Sequence, residues 1–319
     1  MPATLTETVI RRQFPYWDAA LLHELPLVQA STVVLTGCGT SYYLAQVIAC
    51  AFNANGQAAI AVPGAEWARR PECYLAQTEG VLVIGLSRSG TTSETVQAIR
   101  ESRARGWRTL AVSCEPESTL LHAADTALYL PTDPSEGIVM SVSASLMLLA
   151  GLRMAGVSLN QTIPAVAAAA MASLETGIVG LLNGRSHFVY LGAGPNYGLA
   201  TEGCLKLQEM SLSYSQAFHP MEYRHGPVSL MDDKSLVVML YSAATATEEA
   251  ALVAELQAKA AAVIGFNGPG DVRIDLGLSD AESALACLPA LQMLGEMVAV
   301  SKGINSEAPR HLSKVVVLG

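Results

Sequence analysis

The sequence repeats itself at a shift of 155 positions, and that repeat limits the possible folds more than any other feature. Val33-Val34-Leu35-Thr36-Gly37-Cys38-Gly39-Thr40-Ser41-Tyr42-Tyr43-Leu44-Ala45 falls onto Phe188-Val189-Tyr190-Leu191-Gly192-Ala193-Gly194-Pro195-Asn196-Tyr197-Gly198-Leu199-Ala200. Both glycines, a tyrosine, the leucine and the alanine coincide. The same shift carries Val81–Ser87 onto Leu236–Ser242, each followed by a helical pattern. Apolar, β-branched runs alternate with amphipathic stretches and short loops, which predicts parallel strands buried on both faces by helices. The expected class is α/β: two tandem units, each a doubly wound parallel sheet in a flavodoxin- or Rossmann-like three-layer sandwich. The expected boundaries are a helical leader at 1–30, a first unit at 31–160, a linker helix at 161–183, a second unit at 184–305 and a tail at 306–319. With 319 residues, 51% of them hydrophobic, there is enough material for two such cores.

The copies differ where chemistry would sit. After Val81–Leu86 the first copy reads Ser87-Arg88-Ser89-Gly90-Thr91-Thr92-Ser93 before a helix that begins near Glu94. Six of those seven residues are Ser, Thr or Gly, and Thr91 stands three residues before Glu94, the spacing of a capping box. Hydroxyls and backbone N–H groups gathered at a helix N-terminus favour an anion, so the stretch reads as a phosphate cradle. The second copy has Ser242-Ala243-Ala244-Thr245 at the equivalent positions, which leaves one phosphate site expected per chain.

The helix after the first glycine turn differs in the opposite sense. In the second copy Glu202, Lys206 and Glu209 share one helical face, where the first copy has Val47, Ala51 and Ala54. An apolar sister face predicts that the charged one points into protein, where charges suggest chemistry. His225, before Gly226-Pro227, and Lys302, after the apolar run Leu285–Val300, complete the candidate acid–base set. Lys302 also fits a plain helix C-terminus, with Gly303 as the residue that ends it.

Other classes drop out. Gly37-x-Gly39 has Tyr42 where a dinucleotide fingerprint needs its third glycine, and no acidic residue closes the next strand. There is no P-loop, no nucleophile elbow and no zinc-type histidine pattern, so neither a cofactor nor a metal is expected. A net charge of −9 with scattered Lys and Arg argues against nucleic acid. The most apolar zone, Ile163–Leu174, contains Pro164 and is too short to span a bilayer. Six cysteines without paired spacing, and no leader pattern, suit a cytoplasmic protein, with Cys38 read as a small buried hydrophobe.

At these motifs the chain resembles the sugar isomerase (SIS) family, in particular the isomerase half of glucosamine-6-phosphate synthase and the stand-alone aminosugar-phosphate isomerases and deaminases. The matching runs are Cys38-Gly39-Thr40-Ser41, Ser87 to Thr92, Glu202 to Glu209, His225-Gly226-Pro227, and Lys302-Gly303 followed by Pro309-Arg310. The resemblance implies two SIS domains and phosphate binding by Ser41, Ser87, Ser89 and Thr92, with Thr40 close to the sugar; Arg88 is counted with the anion site from the loop's own composition. It implies that Glu209 moves a proton between C1 and C2. It also implies that His225 opens the sugar ring from the neighbouring subunit of a homodimer, and that Lys302 lines the sugar with support from Glu202 and Lys206. The implied partner is a hexose or hexosamine 6-phosphate. Met1-Pro2 offers no cysteine nucleophile, so glutamine-dependent synthesis is not expected. Ile304-Asn305-Ser306 stand where the family's tail usually turns acidic sooner, which leaves the substituent at C1 or C2 open. The leading expectation is an isomerase or deaminase. A fructosamine-6-phosphate deglycase and a non-catalytic sugar-phosphate sensor are the alternatives.

Overall fold

The computed structural model describes residues 3–315. The chain opens with α1 (Leu5–Arg11) and α2 (Gln13–Leu22), then runs β1 (Thr32–Gly37), α3 (Thr40–Ala54), β2 (Ala59–Pro63), α4 (Gly64–Arg69), β3 (Val81–Ser87), α5 (Ser93–Ala104), β4 (Arg108–Ser113), α6 (Thr119–Ala123), β5 (Thr126–Tyr129) and α7 (Val142–Met154). It continues with α8 (Ile163–Ile178), β6 (His187–Gly192), α9 (Pro195–Ser211), β7 (Tyr214–Phe218), α10 (Pro220–Tyr223), β8 (Ser235–Leu240), α11 (Ala246–Gln257), β9 (Ala262–Phe266), β10 (Val272–Ile274) and α12 (Asp280–Ser301).

Two compact units result, one from residues 12–161 with the tail from Ser313, the other from residues 1–11 with 162–312. Each holds a five-stranded parallel sheet, ordered β2-β1-β3-β4-β5 in the first and β10-β9-β8-β6-β7 in the second. Read from the first strand of each half, the order is the same, so the repeat in the sequence is a repeat in topology. It extends to the backbone. Gly39 and Gly194, the aligned second glycines, cap α3 and α9 at φ 55°, ψ −127° and φ 56°, ψ −128°, a region that side chains disfavour.

In the first unit β3 is buried at every residue, as a central parallel strand requires. Its core gathers Val34, Val83, Ile99 and Ala111 around Trp67. Residues 5–22 hold two helices, α1 and α2. Trp17 is fully buried and donates its indole N–H to Ser145 Oγ at 2.7 Å, whereas Leu22 at the end of α2 faces out.

In the second unit α12 packs against both α8 and α9, which explains why it is apolar all round. By length and composition it could cross a bilayer, yet nearly all of that stretch is buried within its own unit. Ser279 starts it with a full capping box to Glu282. α1 joins this unit: Thr4 donates to the buried Glu296 at 2.7 Å, and the Leu5 N–H to Glu307 at 2.7 Å.

Candidate active site

The hydroxyl loop sits at the carboxyl end of β3, the position where parallel sheets place ligands. Its interior is held by its own side chains. Ser87 Oγ accepts the Gly90 N–H at 3.1 Å and donates to Thr92 Oγ1 at 3.3 Å, while Ser89 Oγ accepts the Thr91 N–H at 3.3 Å. Gly90 is at φ 59°, and a Cβ there would lie 2.1 Å from Ser118 Oγ, so the turn admits no side chain. The expected capping box is absent. α5 starts at Ser93 with Thr92 as its N-cap, which puts Glu94 one position too early, and no side chain caps the helix. A helix start whose N-cap side chain makes no capping bond suits an anion better than a capped one would. Thr40 and Ser41, both buried, open α3 after the Gly39 turn. Cys38 is half-buried rather than buried as expected; its Sγ lies 3.7 Å from Thr95 Oγ1, and burial pushes its thiol up.

Arg88 is buried, and its guanidinium donates to Gly137 O at 3.0 Å, Ile138 O at 2.9 Å and Lys314 O at 3.0 Å. Glu136 lies 3.8 Å away and accepts the Ser141 N–H at 2.7 Å, Ser141 Oγ at 3.1 Å and the Ser143 N–H at 3.0 Å. Glu136, Ser141 and Lys314 were not singled out from the sequence. The one signal was a lone acidic residue shortly before the start of a helix.

The second unit carries the charged helix face. Glu202 and Lys206 are fully buried, and Glu209 keeps 21% of its side chain exposed. Lys206 Nζ lies 2.5 Å from Glu209 Oε2 and 3.5 Å from Glu202 Oε1, one ammonium between two carboxylates. The sister positions follow the same gradient: Val47 and Ala51 are buried and Ala54 is exposed. Lys302 ends α12, followed by Gly303 at φ 66°, and donates to Ser213 Oγ at 2.6 Å with the Phe188 ring 5.4 Å away. Desolvation holds its ammonium below the usual lysine range. His225 is exposed in the turn after α10.

The second copy's loop is occupied by the protein itself. Glu249, aligned with Glu94, accepts the Ser242 N–H at 2.8 Å and Thr245 Oγ1 at 2.9 Å. Asp280, from α12, accepts Ser242 Oγ at 2.7 Å and the Ala243 N–H at 3.1 Å. Asp275 and Asp280 also line the open cleft of about 320 Å³ beside it, which would repel a phosphate. Among the described residues no three His, Cys, Asp or Glu side chains gather as a metal site needs.

Comparison with known proteins fits this geometry. Residues 26–155 match the SIS domain. Glucosamine-6-phosphate deaminase from Thermotoga maritima is 30% identical, with a TM-score of 0.87 over 99% of this chain and 100% of that one. The chain belongs to the SIS family. Tagatose-6-phosphate ketose/aldose isomerase from Escherichia coli is 25% identical with a TM-score of 0.82, covering 100% of this chain and 98% of that one. The chain spans about half the length of the curated relatives it matches. Glutamine–fructose-6-phosphate aminotransferase (isomerizing) of Zymomonas mobilis is 29% identical over 326 residues, which cover 92% of this chain and 53% of that protein.

Proposed function

We propose that this SIS protein is an aldose–ketose isomerase that deaminates a hexosamine 6-phosphate, converting glucosamine 6-phosphate and water to fructose 6-phosphate and ammonia. The observation that carries the reading is Glu209: a partly exposed carboxylate fixed at one oxygen by a buried ammonium. The Ser87, Ser89 and Thr92 hydroxyls, with the open end of α5, hold the 6-phosphate, and Thr40 and Ser41 flank it. His225, supplied across a homodimer, opens the ring. Glu209 removes the C2 proton to give an enolamine and returns it to C1, leaving a 2-imine that water hydrolyses to the ketone and ammonia. One carboxylate suffices because it can take the proton from C2 and, after partial exchange with solvent, deliver one to C1. Lys206 holds that carboxylate in place, Glu202 holds Lys206, and Lys302 lines the sugar.

Purified protein given glucosamine 6-phosphate should release ammonia and exchange the C2 proton with solvent. Binding without either event would replace the enzyme reading with that of a sugar-phosphate sensor. Ser89→Ala should raise KM by about ten- to a hundredfold, the worth of one hydrogen bond to a charged group, with kcat nearly unchanged. Unaltered affinity for every sugar phosphate would count against the phosphate site.

A second reading has one observation in its favour. One oxygen of Glu307, the acidic residue of the tail, is engaged by the Leu5 N–H, which weakens its hold on a free amine at the sugar. A deglycase acting on a 6-phosphorylated fructosamine would use the same residues with a bulkier leaving amine. Parallel assays on both substrates separate the two.

A further inference from the structure

We propose that Arg88 is the clamp that docks the tail at Lys314, and not a ligand for the anion held by its neighbours Ser87 and Ser89. Flanked by hydroxyl residues in the loop, an arginine is expected to meet a phosphate, but its hydrogen bonds run elsewhere. The side chain is only 9% exposed, and its guanidinium donates to three carbonyl oxygens, those of Gly137, Ile138 and Lys314, with the Glu136 carboxylate 3.8 Å away. These groups are negative or partly so, and an anion would have to displace them to reach the fork. The main chain is pinned as well: Arg88 O accepts the Cys114 N–H at 3.0 Å and Ser113 Oγ at 3.2 Å.

Residue 314 is held at both ends. Its carbonyl receives Arg88, and its ammonium donates to Glu136 O at 2.9 Å. Arg88 and Glu136 thus form one pincer on a single tail residue, and they pair with each other. The loop's composition places Arg88 with the phosphate ligands, whereas the geometry gives it a positioning role for the tail.

Hydrogen exchange of the C-terminal peptide and inorganic phosphate titration, both on the full chain, test this. In the unsubstituted protein the amides of Ser313–Val315 should exchange at least about tenfold more slowly than in an unstructured peptide. In Arg88→Gln they should speed up by about ten- to a hundredfold, as expected for losing hydrogen bonds from a charged donor. Arg88→Lys, which keeps the charge but not the fork, should be intermediate. The dissociation constant for phosphate should change by less than about twofold in Arg88→Gln, since no ligand to the anion is lost. Random-coil exchange of the tail in the unsubstituted protein would overturn the proposal even if Arg88→Gln failed to fold. So would unchanged tail exchange in Arg88→Gln, or a tenfold loss of phosphate affinity. The exchange arm is independent of the proposed function; only the phosphate arm rests on it. Failure of the unsubstituted protein to bind phosphate would therefore count against the phosphate site alone.

Discussion

Replacing Glu209 by Gln should lower turnover by about a hundred- to ten-thousandfold, the range for losing a general base, while folding and substrate affinity change little. Gln is isosteric and keeps an oxygen for Lys206, and Lys206 retains Glu202 at 3.5 Å, so the pairing inside the helix face survives. The side chain is also the most exposed of the three, which lowers the structural cost of the exchange. The measurement is ammonia release together with C2-proton exchange at saturating glucosamine 6-phosphate. Loss of both with an unchanged melting temperature is the expected result. Turnover within a few-fold of the unsubstituted enzyme would remove Glu209 as the base and with it the proton-transfer scheme.

Lys206→Met should act in the opposite way, on the fold before the chemistry. Lys206 and Glu202 are both fully buried, so removing the ammonium leaves the Glu202 carboxylate in the core without its cation. Breaking a buried pair from one side costs about 3–5 kcal/mol. That would be a large part of the stability of a unit this size. Chemical denaturation followed by far-UV circular dichroism measures it. The diagnostic companion is the double variant Glu202→Gln with Lys206→Met, which removes the stranded charge and should regain much of the loss. A single variant within about 1 kcal/mol of the unsubstituted protein would mean that the buried triad is not coupled as its distances imply.

The parts of this molecule that were legible in the sequence are those written as local patterns. Alternation of apolar strands and helices, the glycine turns at Gly39 and Gly194, and the burial of Glu202 and Lys206 all follow from spacing along one segment. The start of α5 was misread by one residue. Thr91, Thr92 and Ser93 in succession offer several N-caps of similar quality, and the backbone chose Thr92. Glu136, Ser141 and Lys314 were missed for a different reason. They meet Arg88 and one another largely through main-chain carbonyls and N–H groups, and side-chain identity records little of such contacts across distant segments. The carboxylates on the second loop were hidden in the same way, since Glu249 and Asp280 bind backbone N–H groups as well as hydroxyls.

Those two carboxylates have a thermodynamic consequence. The second loop carries its counter-charge in its own sequence, so its folding is not linked to the solution concentration of any anion. Desolvation even pushes the Glu249 carboxyl up, against the downward pull of the Ser242 and Thr245 hydrogen bonds, so ionising it costs something on folding. In the hydroxyl loop of the first unit the aligned position is Glu94. A phosphate anion bound at that loop would stabilise the first unit by about 1.4 kcal/mol for every tenfold rise in free anion above the dissociation constant. The second loop, neutralised from within, would gain nothing from the same anion.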